Sequence, residues 1–381
     1  MGPIVIIGTG LAGYTAAREF RKLDQHMPLV IFSADDGGYY SKPMLSNAFA
    51  QNKTAEALLL SSAEQMATQL RADIHPNSRI TALDPGTRRI RFGHDELGYA
   101  KLVLAMGADP IRLPLAGDAA NAVLSVNDRA DYARFRDAVD GKRRIVILGG
   151  GLIGCEFAND LVTAGYHVAI VDIATHPLGR LVPEPVGLAL RDALANLGVD
   201  WRLGQSVTSV DHAADGLRVT LSDGSTFTAD AVLSAIGLRP RTQVAAAAGI
   251  KVNRGIITDG WLTSSDRHIY ALGDCAEVQG LVLPFVMPLM HAARRLAKTL
   301  ADEPTPVSYP AMPVVVKTPA CPLVVAPPSV GAVGDWTVER VDGGVRALFS
   351  NTSGELLGFA LAGAAATEKH LLGRQLPPVL A

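Results

Sequence analysis

Two glycine-rich turns of one design constrain this chain more than any other feature: Gly8-Thr9-Gly10-Leu11-Ala12-Gly13 and, 141 residues on, Gly149-Gly150-Gly151-Leu152-Ile153-Gly154. Each follows an apolar run that reads as a buried parallel strand, Ile4 to Ile7 and Ile145 to Leu148, and each opens a segment of helical periodicity. In such a turn the first glycine permits the sharp bend. The second lets backbone approach a pyrophosphate, and the third lets helix and strand pack closely. The phosphates then rest on the unpaired N–H groups of the helix N-terminus. One such turn is a weak signal. Two in strand–turn–helix context point to two dinucleotides held at once, and so to electrons moving between them.

Bulk properties narrow the alternatives. A chain of 381 residues, 48% hydrophobic and 19% charged, suits two or three globular domains. The net charge of −2 gives no electrostatic case for nucleic acid or an anionic membrane. The longest uncharged stretch, Thr318 to Gly334, is 17 residues with four prolines and cannot be a spanning helix. The chain enters a strand at once, with no signal-peptide pattern, so the expectation is a cytoplasmic protein. Cys155, Cys275 and Cys321 share no C-x-x-C or C-x4-C spacing, which excludes a sequence-local redox disulfide and a recognisable zinc or iron–sulfur site.

The halves repeat one another weakly. A helix (Tyr14 to Leu23) and a strand (Leu29 to Phe32) follow the first fingerprint; Glu156 to Thr163 and Val168 to Val171 follow the second. Each half later ends a strand on a glycine turn, at Gly107 and Gly237. A third landmark, Ile269-Tyr270-Ala271-Leu272-Gly273-Asp274, precedes a helix near Met287 to Leu300 and a proline linker at Pro304 and Pro306. Residues 311–381 read as a small α/β tail. Its expected strands are Pro313 to Val316, Leu323 to Val325, Trp336 to Val338 and Arg346 to Phe349; a turn at Ser353-Gly354 and a helix near Thr367 to Leu372 follow.

Together the two fingerprints and the Gly-Asp segment resemble the two-dinucleotide-binding-domain flavoproteins, over residues 1 to about 300. The resemblance implies an α/β fold with two Rossmann-like domains, the first binding FAD and an inserted second binding NAD(P)H, plus the small C-terminal α/β domain. The expected parts are 1–112 and 241–310 for FAD, 113–240 for NAD and 311–381 for the tail. More narrowly, Tyr40-Ser41-Lys42-Pro43-Met44-Leu45-Ser46, the run Gly151 to Asp160, Val286-Met287-Pro288-Leu289-Met290, and the run Val316 to Pro322 resemble rubredoxin reductases and their flavorubredoxin reductase relatives.

Residue by residue, the resemblance and the chemistry give these expectations. Gly8, Thr9, Gly10, Gly13 and Gly107 belong to the FAD site, and Gly149, Gly151, Gly154 and Gly237 to the NAD site. Asp172, 21 residues after Gly151, stands where a ribose-binding acid belongs; it would repel a 2′-phosphate, and no arginine follows in Ile173 to His176, so NADH is favoured over NADPH. The matching position in the first unit is Ser33, leaving Ser33 or Asp35 for the FAD ribose. The resemblance implies Asp274 on the ribityl chain, Ile80 by its backbone at the adenine (a plain core isoleucine fits equally), and Val286 by its backbone at the flavin pyrimidine edge. It places Lys42 beside flavin N5, ion-paired to Glu156, and Lys317 near the pyrimidine edge, where a cation would stabilise reduced flavin.

The expected reaction takes a hydride from NADH and passes single electrons to rubredoxin, a small acidic iron protein, from a monomeric enzyme. Arg294, Arg295 and Lys298 form either a local basic patch or a solvated helix face. Oxidase, peroxidase and disulfide-reductase relatives carry a redox cysteine where this chain has Tyr39-Tyr40-Ser41-Lys42, which counts against them. A flavorubredoxin or ferredoxin reductase, or an NADH-responsive flavoprotein that signals to a partner, are the remaining alternatives.

Overall fold

The computed structural model describes residues 2–381. Its first sheet grows around Ile4–Ile7, every residue of which is buried. Buried on both faces, such a strand can be apolar throughout, as a parallel sheet covered on each side allows. The sheet order is Ile269–Ala271, Lys101–Leu104, Ile4–Ile7, Leu29–Phe32 and Asp73–His75, all parallel. The helix Leu11–Leu23 follows the first fingerprint and packs along the helix Val286–Leu300.

The second unit repeats the plan. Its parallel sheet runs Asp200–Leu203, His167–Asp172, Arg144–Leu148 and Ala231–Ser234, with the helix Leu152–Thr163 after the fingerprint. The duplication goes further than the motifs suggest. Between its third and fourth strands each unit inserts a three-stranded antiparallel meander: Ile80–Asp84, Arg89–Phe92 and Asp95–Gly98 in the first, and Val207–Ala213, Gly216–Leu221 and Thr226–Ala229 in the second.

The second unit enters and leaves through one ribbon. Ala108–Pro110 pairs antiparallel with Leu238–Pro240, and Arg241 clamps it by donating to Asp109 Oδ1 (2.6 Å) and to the Met106 carbonyl (3.0 Å). The tail is a five-stranded antiparallel sheet in the order Val314–Val316, Leu323–Ala326, Leu356–Gly363, Gly344–Ser350 and Asp335–Val341. The four expected strands are present, the last two longer than expected. A fifth, Leu356–Gly363, lies at the centre of the sheet where the sequence suggested only a passage from turn to helix. The closing helical segment spans a 3₁₀ turn, Ala364–Glu368, and Lys369–Gly373. Leu380 then exchanges two backbone hydrogen bonds with Tyr309.

One apolar core joins these parts. Leu45, Phe49 and Leu58 from the loop of the first unit pack with Ile147 and Phe157 of the second and with Val316, Leu323 and Ala360 of the tail.

Candidate active site

The two fingerprints have the geometry of phosphate cradles. Gly8 (φ +117°) and Gly149 (φ +102°) hold a backbone conformation that side chains rarely adopt. A Cβ on Gly13 would fall 1.9 Å from the Gly8 carbonyl oxygen, and one on Gly154 equally close to that of Gly149, so both positions must be glycine for helix and strand to meet. By contrast, a Cβ on Gly10 or Gly151 would meet nothing within 4 Å. These glycines face open space, and each caps a helix that has no side-chain cap and no acidic residue in its first turn. Unpaired N–H groups beside room for an anion are what a pyrophosphate needs, so the residues present fit both dinucleotides.

The residues expected at the two riboses sit beside the cradles. Asp172 ends its strand against the second fingerprint, accepting from the Gly150 N–H with one oxygen and from the Ala174 N–H (2.7 Å) with the other. In the first unit, Ser33 is buried and bonds both the Thr9 hydroxyl and the Asp35 carboxylate; Asp35 also accepts from the Gly37 N–H (2.9 Å) and stays exposed. Asp35 is therefore the group of this pair that a ligand can reach, with Ser33 beneath it. Ile80 starts the first meander and is buried in the core of the first unit; the chain just before it runs along Ser33, whose carbonyl accepts from the Ser78 N–H. Gly107 (φ +71°) and Gly237 (φ +118°) flank the ribbon between the units. Gly273 abuts the first fingerprint helix: a Cβ there would fall 2.8 Å from Ala12 Cβ, which brings Asp274 to the same cradle. Val286 opens its helix, half-exposed beside the half-exposed Met287, after an N-cap (Phe285) that makes no side-chain bond.

The expected Lys42–Glu156 ion pair is not formed. Glu156, only 3% exposed, pairs instead with Lys317, whose Nζ lies 2.6 Å from its Oε2. The remaining valences close around them. Ser46 Oγ donates to Glu156 Oε2 (2.6 Å), the Lys317 N–H donates to Oε1 (3.0 Å), and Lys317 Nζ also donates to Ser46 Oγ (2.9 Å) and the Pro43 carbonyl. Lys317 wins because it reaches the carboxylate with both backbone and side chain. Lys42 Nζ turns to Asn127 Oδ1 (2.7 Å) and stands 3.9 Å from Asp274 Oδ2. Burial pushes the Lys42 ammonium below its ordinary pKa, against the opposing pull of Asp274.

Sequence reasoning missed the groups that hold this arrangement. Asn159 and Asp160 share one face of an otherwise apolar helix with the expected Glu156, and that i, i+3, i+4 polar stripe is the signal that could have found those two. Asp160 accepts from the N–H groups of Phe49 (2.8 Å) and Ala50 (2.9 Å), and Asn159 Oδ1 accepts from the Ala320 N–H (3.1 Å). One helix thus ties the loop of the first unit to the tail. Ser46 and Asn127 carry no local signal. The three cysteines are buried and unpaired, and burial pushes the Cys275 thiol up to about 11. Among the described residues no cluster of His, Cys, Asp or Glu is placed to hold a metal, and no helix is long and apolar enough to cross a membrane.

Residues 2–297 match the pyridine nucleotide-disulphide oxidoreductases, and the chain belongs to that family. Residues 306–376 match the rubredoxin binding C-terminal domain. Along its whole length the chain is 52% identical to the rubredoxin-NAD(+) reductase of Alcanivorax borkumensis, all of which is covered. It is 46% identical to the enzyme of the same name from Acinetobacter baylyi, over 100% of this chain and 99% of that one. Among solved structures, a ferredoxin reductase from Rhodopseudomonas palustris superposes with a TM-score of 0.89 at 24% identity, covering 98% of this chain and 94% of the other, a likeness of fold.

Proposed function

We infer that the chain is an NADH:rubredoxin oxidoreductase, a flavoprotein that uses FAD to connect a two-electron donor with a one-electron iron protein. The full-length likeness to rubredoxin-NAD(+) reductases, with a tail that matches a rubredoxin-binding domain, supports that reading. The observation that carries it is the Lys317–Glu156–Ser46 cluster, where tail, second unit and first unit meet around the buried Glu156 carboxylate. The chemistry supplied by bound FAD is acceptance of a hydride from NADH and delivery of its electrons singly to iron.

The residues supply binding, orientation and charge. Gly8, Thr9, Gly10, Gly13, Asp35 over Ser33, Ile80, Gly107 and Asp274 would hold FAD. Gly149, Gly151, Gly154, Gly237 and Asp172 would hold NADH. Lys42, held by Asn127 and Asp274, would supply a cation to the bound flavin, and Val286 would offer backbone at a helix start. Lys317, fixed by Glu156, would add a second positive charge from the tail. We assign 1–112 and 241–310 to the FAD part, 113–240 to the NAD part and 311–381 to the tail, in a monomeric cytoplasmic enzyme.

Anaerobic stopped-flow mixing tests the reading. NADH should bleach the flavin of the purified protein, and purified rubredoxin should restore its colour much faster than ferredoxins do. A flavin that NADH cannot bleach, or reoxidation faster with ferredoxin than with rubredoxin, would overturn it.

A further inference from the structure

Lys42 opens the 3₁₀ helix Lys42–Asn47, and its long side chain has many rotamers to lose. Asn127 is what restrains it. This residue lies in the inserted stretch, just ahead of the helix Arg129–Val139, and is only 6% exposed. Its Nδ2 donates to the Ala108 carbonyl (2.9 Å), its Oδ1 accepts from Lys42 Nζ (2.7 Å), and its backbone N–H donates to Asp131 Oδ2 (3.0 Å). A carbonyl can only accept and an ammonium can only donate, so one orientation of the amide satisfies both partners. The residue is itself set by a closed helix start, because Asp128 Oδ1 accepts from the Asp131 N–H (2.7 Å).

We propose that Asn127 is a positioning residue for reduction of the bound flavin: it holds the Lys42 ammonium in place without adding charge. The proposal rests on the reading of Lys42 as flavin-facing. The charged groups around Lys42 are Asp274 at 3.9 Å and, farther off, Arg241, Asp128 and Asp131. A neutral amide adds nothing to that balance. An aspartate at 127 would set a carboxylate against the Ala108 carbonyl and a second anion directly on the ammonium, damping the positive field at the site. Ala108 belongs to the ribbon between the units, so the hold on Lys42 exists only while the inserted unit is docked.

The test compares Asn127→Ala, Asn127→Asp, Lys42→Met and the double variant Asn127→Ala/Lys42→Met as FAD-loaded protein. Three quantities are read: the single-turnover rate of anaerobic reduction by NADH, the midpoint potential of the bound flavin, and acetylation of Lys42 by acetic anhydride, followed by peptide mass spectrometry. Asn127→Ala is expected to slow reduction on the order of tenfold with NADH affinity and FAD content unchanged. It should also raise Lys42 acetylation, and the double variant should be no slower than Lys42→Met. Asn127→Asp should lower the flavin potential. Should Asn127→Ala not fold, the nearly isosteric aspartate variant carries the comparison, through its potential and its Lys42 acetylation. Wild-type reduction and acetylation in Asn127→Ala, or a slowing that multiplies with that of Lys42→Met, overturns the proposal. Wild-type reduction and potential in Lys42→Met removes the flavin-facing reading instead.

Discussion

At the scale of single residues, charge pairing decides which groups the site can keep. Glu156 and Lys317 share a pocket where removing one partner strands the other. Glu156→Gln is expected to cost about 3 kcal/mol of stability, at the low end for a buried pair because Lys317 keeps some solvent contact. Urea titration of the FAD-loaded protein checks this, and adding Lys317→Met should recover most of the loss. Asp172→Ala leaves the Gly150 and Ala174 N–H groups unpaired and removes the anion that would repel a 2′-phosphate. It should raise KM for NADH and narrow the preference over NADPH, each about tenfold, in steady-state assays with both nucleotides. Asp230 has a different role. The Arg144 guanidinium, donating to it at 2.6 Å, holds its carboxyl well below the usual carboxylate range, and the N–H groups of Arg144 and Arg143 add to the effect. A lowered folded pKa means a stabilising contribution that is full above about pH 4, the unfolded value, and is lost as pH falls toward the folded one. Unfolding free energies measured between pH 3 and 7 should fall on the acid side, and less steeply in Asp230→Asn.

Elements show where reading a sequence succeeds and where it stops. Strands such as Ile4–Ile7 and Ile145 to Leu148 are legible because double-sided burial leaves an unbroken apolar run, and the fingerprints because their first and last glycines answer a local steric demand. That contrast is testable on one helix. Gly13→Ala drives a Cβ into the Gly8 carbonyl and should abolish soluble protein. Gly10→Ala meets no atom, so it should keep the far-ultraviolet circular dichroism of the wild type while losing bound FAD. Leu356–Gly363 is not legible, having two glycines and no β-branched residue; it becomes a strand because neighbours pair with it on both sides. Likewise the resemblance singles out Glu156 two residues past the second fingerprint, but the choice between Lys42 and Lys317 as its partner depends on a contact 161 residues away that no local pattern encodes. The first meander escapes for a related reason, since its half-exposed strands run only four or five residues.

Across the whole molecule, the core shared by the loop at Leu45–Leu58, the second unit and the tail makes the parts mutually dependent. A chain ending at residue 310 loses the tail's share of this core and leaves Glu156 without Lys317, and should aggregate or bind a hydrophobic dye where the full chain does not. The ribbon between Ala108–Pro110 and Leu238–Pro240 has a consequence for the order in which the protein is built. Lys101–Leu104 and Ile269–Ala271 are neighbours in the first sheet, yet well over a hundred residues separate them along the chain. While that stretch is unfolded, bringing them together means closing one very long loop. Once it has condensed and its two ends are zipped side by side, the same closure spans only a few tens of residues, and the entropic cost falls by roughly 1 kcal/mol. The nucleotide module that begins later in the sequence is thus poised to mature earlier, and Lys101–Leu104 waits for Ile269–Ala271 until the insert has closed behind it.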